Sequence, residues 1–156
     1  MTTLTPSETR ALHDALDDEY KAWATYDQVI ADFGEVRPFS NIREAEARHI
    51  AALNQLFAAY GLAVPPNGWP GRVPRYASLE QACEAGVKAE IENAALYERL
   101  LAATSRPDIL GVLRNLQEAS QQRHLEAFRR CVQQTGAGRG CGEGHGRRNR
   151  RRCGAG

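Results

Sequence analysis

The chain has 156 residues, which suits a single domain with a real core. It is 42% hydrophobic and 25% charged, the balance of a soluble globular protein. No stretch reaches the ~20 apolar residues of a membrane span, and the opening MTTLTPSETR lacks the apolar run of a secretory signal.

The net charge of +1 is unevenly divided. Residues 136–156 hold six arginines and one glutamate, a net +5, which leaves −4 on residues 1–135. Four cysteines (Cys83, Cys131, Cys141 and Cys153) form no Cys-x-x-Cys pair. Free thiols in a cytoplasmic protein fit this better than a disulfide scaffold, with Cys83 a small buried apolar residue.

Thr5-Pro6-Ser7-Glu8 reads as a helix start, with Thr5 as N-cap and Pro6 at the first helical position. Leu12, Leu16, Glu19, Trp23, Tyr26 and Ile30 then recur at steps of three and four. They form one face, with Glu19 in its middle and Trp23 in the core. Gly34 and Pro38 bracket a break. A second helix is predicted from about Phe39 to Tyr60, with Ile42, Glu46, His49, Leu53, Leu56 and Tyr60 on its inner face. Gly61 is its stop signal.

Residues 61–77, rich in proline and glycine, exclude a helix and are long for a tight connection. They suit a crossover running the length of a bundle. Ser78 caps a third helix, with Gln81 completing a capping box; its face reads Leu79, Cys83, Val87, Glu90, Ala94, Tyr97 and Leu101. Arg106-Pro107-Asp108 breaks it. A single fourth helix over about 108–134 carries Leu113, Gln117, Ser120, His124, Phe128 and Cys131 on one side, and Gly136 ends it.

Residues 136–156, GAGRGCGEGHGRRNRRRCGAG, carry too little apolar surface to offset the cost of ordering and read as a disordered basic tail. Cys141, His145 and Cys153 match no zinc spacing. Arg147–Arg152 can hold a phosphate backbone non-specifically, though no aromatics are interleaved and a solvated tail is the default. Asp17, Asp18, Glu44 and Glu92 are expected in solvent.

The two helix pairs resemble each other. EYKAWATYDQVI from Glu19 aligns with EIENAALYERLL from Glu90, and EARHIAAL from Glu46 with QQRHLEAF from Gln121, at offsets of 71 and 75 residues. A duplicated helical hairpin explains both. Glu19 and Glu46–His49 are equidistant from the first turn, and Glu90 and Gln121–His124 from the second. At ~1.5 Å per residue, all lie roughly 22 Å from their turns, in one layer across the bundle.

Three carboxylates and two imidazoles would then meet inside an apolar core. Unpaired burial costs several kcal/mol per carboxylate, and like charges repel. A divalent metal compensates directly, and oxygen plus imidazole ligands suit Fe, Mn or Zn.

On DEYKAWATYDQVI, PFSNIREAEARHIAAL, GVKAEIENAALYERLL and RHLEAF, the chain resembles the ferritin-like superfamily. More closely, it is similar to an uncharacterised prokaryotic ferritin-like family labelled a domain of unknown function. The resemblance spans about residues 8–133. It implies an all-α, antiparallel four-helix bundle over residues 1–135, with one long crossover between helices 2 and 3. Glu19, Glu46, His49, Glu90 and His124 would be metal ligands holding iron, as one ion or two, with Mn or Zn as alternatives. The family label supplies no activity.

Gln121 departs from the pattern, which asks there for a second bridging Glu. Three carboxylates leave two divalent ions with a net +1, so the second metal position is weakened. Gln121 is then expected to hydrogen-bond around the site, as are Tyr26 and Tyr97, and Gln121→Glu to tighten binding of a second metal. The leading functional expectation is ferroxidase- or peroxidase-like redox chemistry on dioxygen or peroxide, with no catalytic residues beyond the ligands. The competing one is a non-catalytic bundle that holds zinc structurally or sequesters metal, its tail docking on nucleic acid or an acidic partner. A homodimer through a side face is expected of such bundles, though no face stands out.

Overall fold

The computed structural model describes residues 3–137. They form α1 (Pro6–Phe33), α2 (Phe39–Ala59), α3 (Leu79–Ala102) and a fourth rod in three consecutive parts. These parts are α4 (Pro107–Glu118), a π-helical turn (Ala119–His124) and α5 (Leu125–Ala137). The described residues contain no strand. The last helix runs to Ala137, slightly past the expected boundary at 135, and the rest of the tail lies outside the described residues.

Local chemistry sets the helix ends. Thr5 Oγ1 accepts from Glu8 N at 3.1 Å, and Glu8 Oε2 accepts from Thr5 N at 2.9 Å, a reciprocal cap that satisfies two orphan donors. Gly34 ends α1 at φ 92°, a conformation costly for any residue with a Cβ. Ser78 Oγ accepts from Gln81 N at 3.2 Å and starts α3.

Cross-helix pairs give the topology. Glu8 meets Thr104, Glu19 meets Tyr97, and Tyr26 meets Glu90, so α1 and α3 are antiparallel. Tyr60 meets Asp108 and Glu46 faces His124, so α2 opposes the fourth rod. It follows that α2 and α3 point the same way, and their connection must travel back along the bundle. It does so against α1. Pro65 O accepts from the Tyr20 hydroxyl at 2.8 Å, the Trp69 indole donates to Asp17 at 2.9 Å, and Arg75 pairs with Asp32 near the end of the helix.

The core is split in two. One cluster gathers Leu12, Leu16, Leu53, Phe57, Tyr97, Ile109 and Leu113. The other gathers Tyr26, Val29, Phe39, Ile42, Cys83 and Phe128. Each fully buried large side chain contributes about 1.5–3 kcal/mol. In the second cluster α3 and α5 approach closely at Gly86, where a Cβ would stand 2.6 Å from the Phe128 ring. Trp23, expected in the core, is only half-buried.

Two expectations need correction. Cys83 and Cys131 are joined in a disulfide linking α3 to α5, with Cα atoms 5.9 Å apart. They are not free thiols, and the thiol argument for a cytoplasmic location loses this pair; Cys141 and Cys153 lie outside the described residues. The fourth helix is also not uniform: the π turn interrupts it at Ala119–His124. No described helix is long and apolar enough to cross a membrane.

Candidate metal centre

Between the two apolar clusters lies a polar layer. α1 supplies Glu19, α2 supplies Glu46 and His49, α3 supplies Glu90, and the π turn supplies His124. The three glutamates are 3–4% exposed and His124 is 4% exposed. His49 is less enclosed, its side chain 14% exposed, so the layer reaches solvent at that edge.

Glu46 stands at the centre. Its Oε2 lies 2.9 Å from His49 Nδ1, and its Oε1 lies 3.3 Å from His124 Nδ1. Glu19 Oε2 is 3.2 Å from the same His49 nitrogen, and Glu90 Oε1 is 3.5 Å from that of His124. The two imidazoles stack with centroids 5.6 Å apart. Two triads result, Glu19–Glu46–His49 and Glu46–Glu90–His124, each with its ligand atoms within 4.8 Å of one another and positioned to hold a metal ion. They share Glu46.

The tyrosines fix the outer carboxylates. Tyr97 OH donates to Glu19 Oε1 at 2.5 Å, and Tyr26 OH donates to Glu90 Oε1 at 3.0 Å. Burial and the facing carboxylates push both phenols well above their ordinary range, so they remain donors. The Ser120 hydroxyl donates to the other oxygen of Glu90.

Gln121, in contrast, is exposed. The sequence correspondence with Glu46 placed it inward, and the π turn explains why it is not. Inward positions on this rod step by four: Leu116, Ser120, His124, Phe128. In a regular α-helix twelve residues drift about 120° off one line. The wider turn, in which Leu125 N–H reaches back to Ser120 O, absorbs that drift. Ser120 therefore takes the inward place, and Gln121, three before His124, rotates out. Glu118 is likewise exposed.

Asp18 was expected in solvent but is half-buried, and Asn93 donates to it. Burial raises its carboxyl to about 6.

Without metal, protons balance the charge. Burial lowers the His49 imidazolium's tendency to form, but Glu19 and Glu46 outweigh it and lift the pKa to about 9. Against the same burial, Glu46 and Glu90 lift His124 to about 10. Burial, then repulsion from Glu46, pushes the Glu19 carboxyl well above its ordinary range. Burial also opposes ionisation of Glu46, but Glu19 and the two facing histidines outweigh it and hold the carboxyl well below its usual range. His124 Nδ1, deep in the layer, is ion-paired with Glu46 and Glu90 at 3.3 and 3.5 Å but makes a well-formed hydrogen bond to neither. A buried imidazole nitrogen set among carboxylates, in a group of oxygen and imidazole donors, is positioned to hold a metal ion.

No family model matches the chain, and no curated protein matches it. Among solved structures, it is similar to the hypothetical protein MJ0754 from Methanococcus jannaschii DSM 2661. The TM-score is 0.77 at 22% identity, over 87% of this chain and 85% of that one. The likeness shows that the two share a fold.

The raised histidines have a consequence for stability. A group whose folded pKa exceeds its unfolded value near 6.5 stabilises fully below that pH and loses its contribution as pH rises through the folded value. The metal-free protein is therefore expected to lose stability between about pH 7 and pH 10, the window from the unfolded value to about 9 and about 10 for the two residues. Urea-denaturation midpoints across that range measure it; a midpoint that holds constant would count against the ion pairs. A Gln121→Glu variant is now expected to bind metal with the stoichiometry of the parent, because the new carboxylate faces solvent. A gain of one ion on titration would mean the π turn reverts to α-helix.

Proposed function

We propose that this is a ferritin-like protein in which Glu19, Glu46, His49, Glu90 and His124 hold iron for redox chemistry with dioxygen or peroxide. The observation that carries the reading is the shared Glu46, each of whose oxygens faces a different histidine. One carboxylate placed between two matching triads is what a two-ion site needs. Support also comes from the topology, since a bundle with one long crossover is the form taken by ferritin-like di-iron proteins, and they draw on a comparable ligand set.

Iron bound here would supply the electrons that dioxygen or peroxide accepts. The chain's own residues do the rest. Tyr97 and Tyr26 hold Glu19 and Glu90 in fixed rotamers, so little side-chain freedom remains to be lost on binding. Ser120 adds a second restraint on Glu90 alone. Leu16 and Leu53 on one side, and Val29, Ile42 and Phe128 on the other, exclude bulk water from the layer. The two histidines release protons as metal enters, which makes binding stronger at higher pH.

The missing fourth carboxylate favours a second reading, in which the bundle holds redox-silent zinc or sequesters a metal. Manganese fits the same donors. Anaerobic loading of metal-free protein with ferrous iron, followed by air or peroxide, separates these. Stoichiometric iron that oxidises with consumption of the oxidant is expected, and Tyr97→Phe is expected to weaken metal affinity by about 10-fold to 100-fold. Preferential zinc binding with no oxidant consumed would favour the structural reading. Failure to bind any transition metal would overturn both.

A further inference from the structure

A pocket of about 540 Å³ opens between α2 and the π turn and α5, on the face of the bundle nearest His124. Its volume falls in the ~300–1,000 Å³ range of small-molecule sites. Its rim carries Arg37, Arg48, Arg123 and Arg130, and no Asp or Glu lines it. Its lining also includes Ile42 and His124.

Their gathering at one pocket sets these four arginines apart, since Arg10, Arg72 and Arg114 are also exposed with no side-chain partner among the described residues. Arg43, Arg75, Arg106 and Arg129 each pair with a carboxylate. Arg37, Arg48, Arg123 and Arg130 are exposed and make no hydrogen bond or ion pair among the described residues. Four like charges around one concavity repel one another and concentrate a positive field in it. Two further pockets have no such bias: in one, about 370 Å³ beside α1 and α3, Lys21 and Lys88 face Asp18 and Glu92, and in another, about 360 Å³, Arg129 shares the lining with Glu84. The main body of the chain, residues 1–135, is acidic overall, which makes a cleft of one positive sign stand out further.

We propose that this pocket binds a small oxyanion-bearing molecule, a phosphate or a carboxylate, on its arginine rim. The planar guanidinium fork matches both groups with two parallel hydrogen bonds. His124 in the lining brings the bound anion alongside the polar layer. Where the proposed metal reading also holds, the anion supplies the negative charge that the three glutamates leave short for two divalent ions. Anion binding itself needs no metal.

Calorimetric titration of the metal-free, full-length protein at low ionic strength tests this, with inorganic phosphate and succinate as separate probes. Saturable one-to-one binding of at least one probe is expected, and the tighter of the two names the anion's source. Arg48→Gln with Arg123→Gln is expected to weaken it roughly tenfold or more, since two guanidinium forks are lost from the rim. Lys21→Gln with Lys88→Gln should leave it unchanged, as should glutamine at Arg147, Arg148, Arg150, Arg151 and Arg152. No saturable binding of either probe would overturn the proposal. So would binding that survives the pocket variant and vanishes with the tail variant, or a pocket variant that weakens binding of duplex DNA but of neither small anion. Because no metal is present, these outcomes bear on the anion site alone, and a failure to bind metal bears on the metal reading alone.

Discussion

Three carboxylates held together in an apolar interior are the constraint around which this bundle is arranged. Glu19, Glu46 and Glu90 come from three different helices, and each is almost completely removed from water. Bare, such a cluster would cost several kcal/mol per charge. The protein surrounds it with every compensation available to side chains: two imidazoles, two tyrosine hydroxyls and a serine. The apolar clusters above and below fix the helices tightly enough that these partners meet their carboxylates. The buried His124 nitrogen faces two carboxylates without a well-formed hydrogen bond to either, and the cluster around it is positioned to hold a metal ion.

The two halves of the layer are related but not equal. Glu46 and His49 lie three residues apart on a regular helix. Their counterparts on the fourth rod are Ser120 and His124, four apart, because the π turn shifts the phase. Where the first half offers a central carboxylate, the second offers a hydroxyl that ties down Glu90. The same turn leaves Gln121 and Arg123 on the outside, Arg123 on the rim of the basic pocket. One local widening of a helix thus turns the Gln121 amide away from the layer and places a cation on the rim of the neighbouring pocket. π turns of this kind recur at functional sites.

Much of this could be read from residue spacing. Helix faces follow from apolar steps of three and four, and the crossover from prolines and glycines that no helix tolerates. The layer followed from heights: groups equidistant from a tight turn must lie side by side. Three features escaped for physical reasons. The π turn has no composition signal, although the four-residue steps through Ser120, His124 and Phe128 do exceed the period of an α-helix. The disulfide was discounted for want of a Cys-x-x-Cys pair, yet Cys83 lies seven residues before Glu90 and Cys131 seven after His124, on inward faces of antiparallel helices. That geometry puts both at one height. The arginine pocket draws on a loop, α2, the π turn and α5, and no run of sequence shows such a gathering.

Anomalous diffraction from crystals of the protein grown with manganese or iron tests the central claim most directly. Metal density in the layer is expected beside the Glu46 carboxylate, within ligand distance of Glu19 and His49 or of Glu90 and His124, and lost in Glu46→Ala. An ordered bundle with no metal density in that layer, or with metal only on its outer surface, would contradict it.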